Sequence, residues 1–306
     1  MKNVLMIIVI VLLVTGNAFA AQKIAFTKYP DLKLGFTTVI FTKCKMDPTL
    51  DNAKAWIDYA SAQGYAWIEL RDPNGALTID QAKEIAAYAK SKNLEMAYAT
   101  NRGSNDADYW QVLGNSWRRA LLFENGPRTV RTTDANSEFA KDEKKVAWTE
   151  AEFKKALETQ NNAAKALKEM GLQLMIENAN VPLVGQFSLD ELLTAADPAV
   201  GYQLDTANMF AVARTKADPK DAEAFLKKHI GRLQYTHLKS SVNNAQNPVL
   251  ADNPLPFETV FQLLAENKKP YIAIELGQVE SCDDQKANLE KSLEYLQSKG
   301  FITISK

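Results

Sequence analysis

The chain has 306 residues, 46% of them hydrophobic and 24% charged, with a formal net charge of −1. That composition suits one large domain with a sizeable core. It excludes nucleic acid as a partner, because no basic block or aromatic–basic interleaving is present to track a phosphate backbone.

The N-terminus reads as a secretory signal peptide over residues 1–20. Lys2 precedes an apolar run from Val4 to Val14, and Ala18-Phe19-Ala20 forms a small-x-small cleavage site. The run is too short to span a bilayer comfortably. No cysteine follows it closely, and no later run reaches membrane length. Residues 21–306 are therefore expected to be one soluble, exported domain, periplasmic or secreted.

From residue 32 onward, short apolar or β-branched runs alternate with stretches of helical period. Strands are expected at 32–41, 66–71, 95–101 and 127–132, and again at 172–178, 201–206, 233–239 and 271–276. Residues 50–62 carry apolar positions at Ala53, Trp56, Ile57 and Ala60, the stripe of an amphipathic helix. Thr78 with Gln81, and Thr149 with Glu152, each open a helix as a cap with its acceptor three residues on. A helix over 283–298 ends at Gly300. Eight strands joined by helices predict a (β/α)8 TIM barrel, an α/β fold in which loops after the strands carry the site. Residues 133–148 form a long polar loop on that face, read as a surface loop or a lid. His229, in a Lys-Lys-His stretch, is expected to face solvent.

The last four expected strands each finish on a metal-competent side chain: Glu177, Asp205, His237 and Glu275. These strands are consecutive around a barrel, so their ends converge. Three carboxylates and an imidazole suit one divalent ion, Mn²⁺ foremost, with Mg²⁺, Co²⁺ or Zn²⁺ also compatible. A single strand-end carboxylate is usually a salt-bridge partner and a lone strand His a core residue, but four such positions in successive strands are harder to dismiss, and three crowded carboxylates would repel one another without a cation. Arg71, Arg102 and Arg131 follow strands two to four and are expected to rim the mouth, with Lys239 after the seventh. These are candidate substrate contacts, and loop salt bridges are the competing reading; Arg71 has Asp72 beside it. Glu69 and Tyr98 are further candidates to face the mouth. Trp110 and Trp117 read as core, with sugar stacking as the other reading. Cys44 and Cys282 lie just past the first and eighth strands, which neighbour each other in a closed barrel, so a disulfide is expected between them.

Ile176-Glu177-Asn178, Leu204-Asp205-Thr206, Thr236-His237-Leu238-Lys239 and Ile274-Glu275-Leu276, with Ile68-Glu69-Leu70, resemble the sugar phosphate isomerase/epimerase family of the xylose-isomerase-like superfamily. The resemblance covers nearly all of residues 21–306. It implies that Glu177, Asp205, His237 and Glu275 hold the metal and that Glu177 and Glu275 shuttle protons on opposite faces of a bound carbohydrate. A metal spanning a carbonyl and its neighbouring hydroxyl would stabilise the enediolate formed when the α-proton leaves. Three positions depart from the pattern. Ala179 and Asn208 stand where many relatives have His, and Ser240 where Asp is frequent. Asn208 can still bond a substrate hydroxyl. Two histidines cannot build the tri-zinc cluster of the endonuclease IV branch. An unphosphorylated glycoside suits an exported enzyme, which keeps a 3-keto-glycoside lyase or dehydratase as an alternative to an isomerase or epimerase. A barrel that only binds sugar is the third reading.

Overall fold

The computed structural model describes residues 22–73, 75–133, 148–179, 181–211, 217–242 and 245–305. The expected signal peptide and positions 134–147 of the polar loop lie outside the described residues.

Eight parallel strands close into a barrel. In chain order they are β1 (Lys33–Thr37), β2 (Trp67–Arg71), β3 (Glu95–Gly103), β4 (Thr129–Thr133), β5 (Gln173–Glu177), β6 (Val200–Asp205), β7 (Leu233–Leu238) and β8 (Tyr271–Ile274). The seam is closed by β8 pairing β1 in parallel, Ile272 opposite Leu34. Each strand carries apolar residues on both faces, as a strand covered by helices outside and side chains inside must. A separate antiparallel pair, Lys23–Phe26 with Ile302–Ser305, joins segments from the two ends of the described chain.

All eight strands fall on the expected runs. The first is shorter than read from sequence: after Thr37 the chain turns into a 3₁₀ helix, Thr38–Phe41. The β-branched run there favours a strand, but tertiary contacts prevail. The Thr38 hydroxyl accepts the Arg71 N–H at 2.9 Å, and Ile40 and Phe41 are buried. Helix α1 (Leu50–Gln63) buries Ala53, Trp56, Ile57 and Ala60. Helices α2 (Ile79–Ser91), after Thr78, and Glu150–Glu169, after Thr149, both open on complete capping boxes. The final helix, Cys282–Ser298, ends before Gly300, whose φ of 72° is the left-handed stop glycine supplies.

The barrel floor is filled from inside. Trp67, Ala97, Met175, Tyr235 and Ala273 pack as a buried interior cluster. The Trp67 indole donates to the Lys33 and Ile272 carbonyls at 3.1 and 3.0 Å. Any Cβ on residue 35 would lie 2.2 Å from the Trp67 carbonyl oxygen, so only glycine fits there. Because side chains alternate across a strand, the same inward face carries Glu69 and Arg71 above Trp67, Glu177 above Met175, and His237 above Tyr235. Tyr98 falls on the outward face instead, stacked on Phe123 with its hydroxyl on Asp72 at 2.7 Å, so it does not line the mouth.

His229 is not at the surface as its neighbours suggested. It is buried against Tyr202 and Phe225, and its Nε2 lies 2.7 Å from Asp190. Cys44 and Cys282 are bonded, their Cα atoms 5.3 Å apart, which ties the loop after β1 to the start of the helix after β8. Among the described residues, no helix is long and apolar enough to cross a membrane.

Candidate metal centre

Glu177 ends β5, Asp205 ends β6, His237 is the penultimate residue of β7, and Glu275 follows β8. Each offers one ligand atom, and these atoms lie within 4.8 Å of one another. That spread fits donors placed about 2.0–2.4 Å from a common ion. Local structure pins the strand ends together. The Asn178 side chain accepts from the Asp205 N–H at 2.6 Å and donates to its carbonyl at 3.0 Å, joining β5 to β6. The Thr206 hydroxyl joins β6 to β7, accepting from the Lys239 N–H at 2.9 Å and donating to its carbonyl at 2.6 Å. Oδ1 of Asp205 is held by the backbone N–H groups of Ala207 and Asn208, both at 2.9 Å, which leaves Oδ2 to face the cluster.

Three of the four ligand groups present a buried atom with no hydrogen bond: Asp205 Oδ2, His237 Nδ1 and Glu275 Oε2. His237 Nδ1 and Glu275 Oε2 are 2.7 Å apart, yet no aligned hydrogen bond joins them. Buried polar atoms are rarely left so, and a shared cation would satisfy all three. The other imidazole nitrogen settles which atom is the donor to that cation. Nε2 lies 2.9 Å from Glu69 Oε2, and an ionised carboxylate can only accept, so with an ion bound Nε2 would carry the proton and Nδ1 would offer its lone pair.

Glu69 is therefore not at the rim. It is fully buried, accepting from Thr37 at 2.8 Å through Oε1 and from both Tyr235 and His237 through Oε2. Arg131 also lies deeper than expected. It points inward from β4, 1% exposed, donating to Glu177 Oε2 and to the Thr100 carbonyl at 3.0 Å. Lys239 is buried with its ammonium 2.6 Å from Glu275 Oε1 and 3.5 Å from Asp205 Oδ2. Both are engaged with carboxylates of the candidate metal site and do not rim the mouth. Arg71 is on the wall, 8% exposed. Arg102 grips both oxygens of Asp108 at 3.1 Å in a surface salt bridge. Asn208 is buried and serves the site through its backbone N–H. Ser240 clamps Ala251, donating to its carbonyl and accepting from its N–H, both at 2.7 Å. Trp110 is not core but 52% exposed. Tyr235 and Thr37 escaped the sequence reading. Tyr235 stands two residues before His237 on the same strand face, and that parity is the signal that could have found it.

The electrostatics follow from crowding. Burial and the neighbouring Glu275 and Glu177 push the Asp205 carboxyl up to about 6, against the pull of Lys239. Burial would also raise Glu275, but Lys239 and His237 overcome it and hold that carboxyl well below the usual range. For His237, burial favours the neutral ring, yet Glu69 and Glu275 outweigh it and raise its pKa. Without a cation the cluster thus retains protons that an ion would displace.

A family model described as xylose isomerase-like TIM barrel matches residues 57–299. The chain belongs to that family. No curated protein matches it in sequence. Among solved structures, this xylose isomerase-like barrel is similar to D-psicose 3-epimerase from Clostridium cellulolyticum H10 with D-tagatose, at TM-score 0.62 and 12% identity over 87% of this chain and 99% of that one. D-allulose 3-epimerase from Methylomonas sp. in complex with D-allulose gives 0.62 and 15%, over 90% and 98%. A sugar phosphate isomerase/epimerase from Parabacteroides distasonis ATCC 8503 gives 0.61 and 14%, over 89% and 96%. At such identities the likeness speaks for the fold.

Proposed function

We propose that this protein is an exported sugar isomerase or epimerase that acts beside a carbonyl and depends on a divalent metal, Mn²⁺ suiting the carboxylate-rich set best. The observation that carries the reading is the trio of buried, unpartnered ligand atoms on Asp205, His237 and Glu275, with His237 oriented by Glu69. A bound cation there would supply Lewis acidity to a carbonyl and its neighbouring hydroxyl. Glu177 and Glu275 stand on β5 and just past β8, on two sides of the mouth. Each has one oxygen tied to a cationic side chain, Arg131 for Glu177 and Lys239 for Glu275, and the other turned toward the cluster. Lys239 keeps Glu275 ionised and so able to take a proton. Arg131 contacts the Oε2 of Glu177. The neutral sugars present in two fold neighbours, D-tagatose and D-allulose, agree with a small carbohydrate substrate. The leader-like first twenty residues and the Cys44–Cys282 bond agree with export to an oxidising compartment.

The test has two parts. Purified protein should contain close to one divalent ion per chain by elemental analysis and should melt higher with added Mn²⁺. Incubation with ketohexoses in D₂O should then label the carbon beside the carbonyl, and Glu275→Gln should abolish the label while sugar still binds. A metal-free chain whose melting ignores Mn²⁺ refutes the reading. Release of an aglycone from 3-keto-glycosides would make the enzyme a lyase, and binding without exchange would make it a binding protein.

A further inference from the structure

Three arginines follow or end β2, β3 and β4, and two of them are spent. Arg131 is engaged by Glu177 and the Thr100 carbonyl, and Arg102 by Asp108. Arg71 differs. It ends β2 on the barrel's inward face, and β2 lies four strands from β6 in either direction around the closed sheet, so Arg71 looks across the mouth toward Asp205. Its side chain is only 8% exposed, and its Nε is buried with no hydrogen-bond partner.

Neither nearby carboxylate hydrogen-bonds its side chain. Glu69 Oε1 approaches Arg71 Nη1 only to 3.9 Å, beyond hydrogen-bond reach. Glu69 Oε1 accepts from Thr37, and Oε2 from Tyr235 and His237. Asp72, the neighbour in sequence, turns outward. Its Oδ1 accepts from the Ala76 N–H at 2.8 Å, and its Oδ2 from the Leu77 N–H at 3.0 Å and the Tyr98 hydroxyl at 2.7 Å. A guanidinium this deeply placed without aligned acceptors is costly.

The charges point the same way. With a divalent ion bound and His237 neutral, the carboxylates of Glu69, Glu177, Asp205 and Glu275 are balanced by Arg131, Lys239 and the ion. Counting the inward-facing side chains alone, with the buried Asp72 carboxylate turned to Tyr98 on the outer face, the charge of Arg71 is left over, which is room for one anionic group. We propose that Arg71 anchors a carboxylate of the substrate, so that the substrate class is a sugar acid, such as a hexuronate or a keto-aldonate. A carboxylate presents two oxygens to the guanidinium fork and carries the single charge the site lacks. This rests on the carbohydrate reading above and narrows it.

The experiment is calorimetric titration of the Mn²⁺-loaded protein with matched pairs, D-glucuronate against D-glucose and 2-keto-D-gluconate against D-fructose. At least one acid should bind roughly 10- to 100-fold tighter than its neutral partner, the range expected of hydrogen bonds to a charged group. Arg71→Met should erase that preference by weakening the acid far more than its neutral partner, while Arg71→Lys should keep part of it. Acids binding no tighter than neutral sugars overturn the assignment. So does a preference that survives in Arg71→Met, because the acid would then be held elsewhere, or an equal loss for both members of a pair. If the Met variant melts early, the wild-type pairs and the Lys variant still decide. Binding of neutral sugars alone overturns the sugar-acid class and leaves the carbohydrate reading standing; binding of no sugar at all removes both.

Discussion

Glu69→Gln separates charge from shape at the base of the candidate metal centre. Glutamine fills the same buried volume, and its carbonyl oxygen can still accept from Tyr235 and His237 as Glu69 Oε2 does. Its amide then faces Thr37, whose hydroxyl can rotate from donor to acceptor. What is lost is the negative charge opposite His237 Nε2. A hydrogen bond to a charged group contributes about 1.5–3 kcal/mol and a neutral one about 0.5–1.5. The difference of about 1–1.5 kcal/mol corresponds to a roughly tenfold weaker metal site. Groups that orient a ligand histidine commonly cost about 10- to 100-fold when removed. Glu69 is fully buried, so solvent screening does not reduce the figure. The assay is competition of Mn²⁺ against a chelator of known affinity, with far-UV circular dichroism to show the fold intact. Glu69→Ala is the contrasting variant. It leaves the Tyr235 hydroxyl and the His237 N–H without an acceptor, at about 1–3 kcal/mol each, and should lower stability as well. A Glu69→Gln protein that binds Mn²⁺ as tightly as wild type would refute the assignment of Glu69 as the group that orients His237.

Arg131→Met should destabilise the metal-free protein by about 3–5 kcal/mol, since it strands the Glu177 carboxylate inside the barrel; urea unfolding measures this, and a loss below 1 kcal/mol would show the pair dispensable. Replacing both Cys44 and Cys282 by Ser should lower stability by about 5 kcal/mol, because the bond closes a loop with a separation of 238 residues, and the melting temperature should fall by roughly 10 °C. Mn²⁺ affinity should drop as pH falls through about 6, where Asp205 takes up a proton, by about tenfold per pH unit for each proton displaced; a pH-independent Kd between 5 and 7 would contradict it. The sign reverses for the metal-free protein. Between the ordinary 3.8 and about 6 the folded state holds a proton on Asp205 that the unfolded chain has lost, so this group's contribution to stability declines as pH rises through that window.

The barrel was legible because parallel strands buried on both faces print as short apolar runs at the spacing of one strand–helix unit. The tetrad was legible for a related reason: an apolar run that stops on Glu, Asp or His leaves that side chain at the strand's carboxyl end. Depth was harder to read. Glu69 and Arg131 look like rim residues by position, but strand parity and the Trp67 floor put Glu69 under His237 and Arg131 against Glu177. Tyr98 shows the same limit from the other side, since one step of register turns a mouth residue into an outer-face residue. The short 3₁₀ turn at Thr38–Phe41 was hidden because its residues prefer strands locally, and only the contact with Arg71 reveals the turn. His229 was misplaced because its charged neighbours described the helix surface, while its own ring packs inward on Tyr202 and Phe225.

The pairing of Lys23–Phe26 with Ile302–Ser305, together with the parallel pairing of β1 to β8, also sets an order of events. Neither contact can form until nearly the whole chain is present, so a polypeptide emerging N-terminus first stays an open, unclosed sheet until its last strand arrives. Contacts this distant in sequence make folding slow. The early β1 edge waits unpaired through that interval, which makes the interval, rather than the finished barrel, the stage at which this protein is most exposed to aggregation and proteolysis.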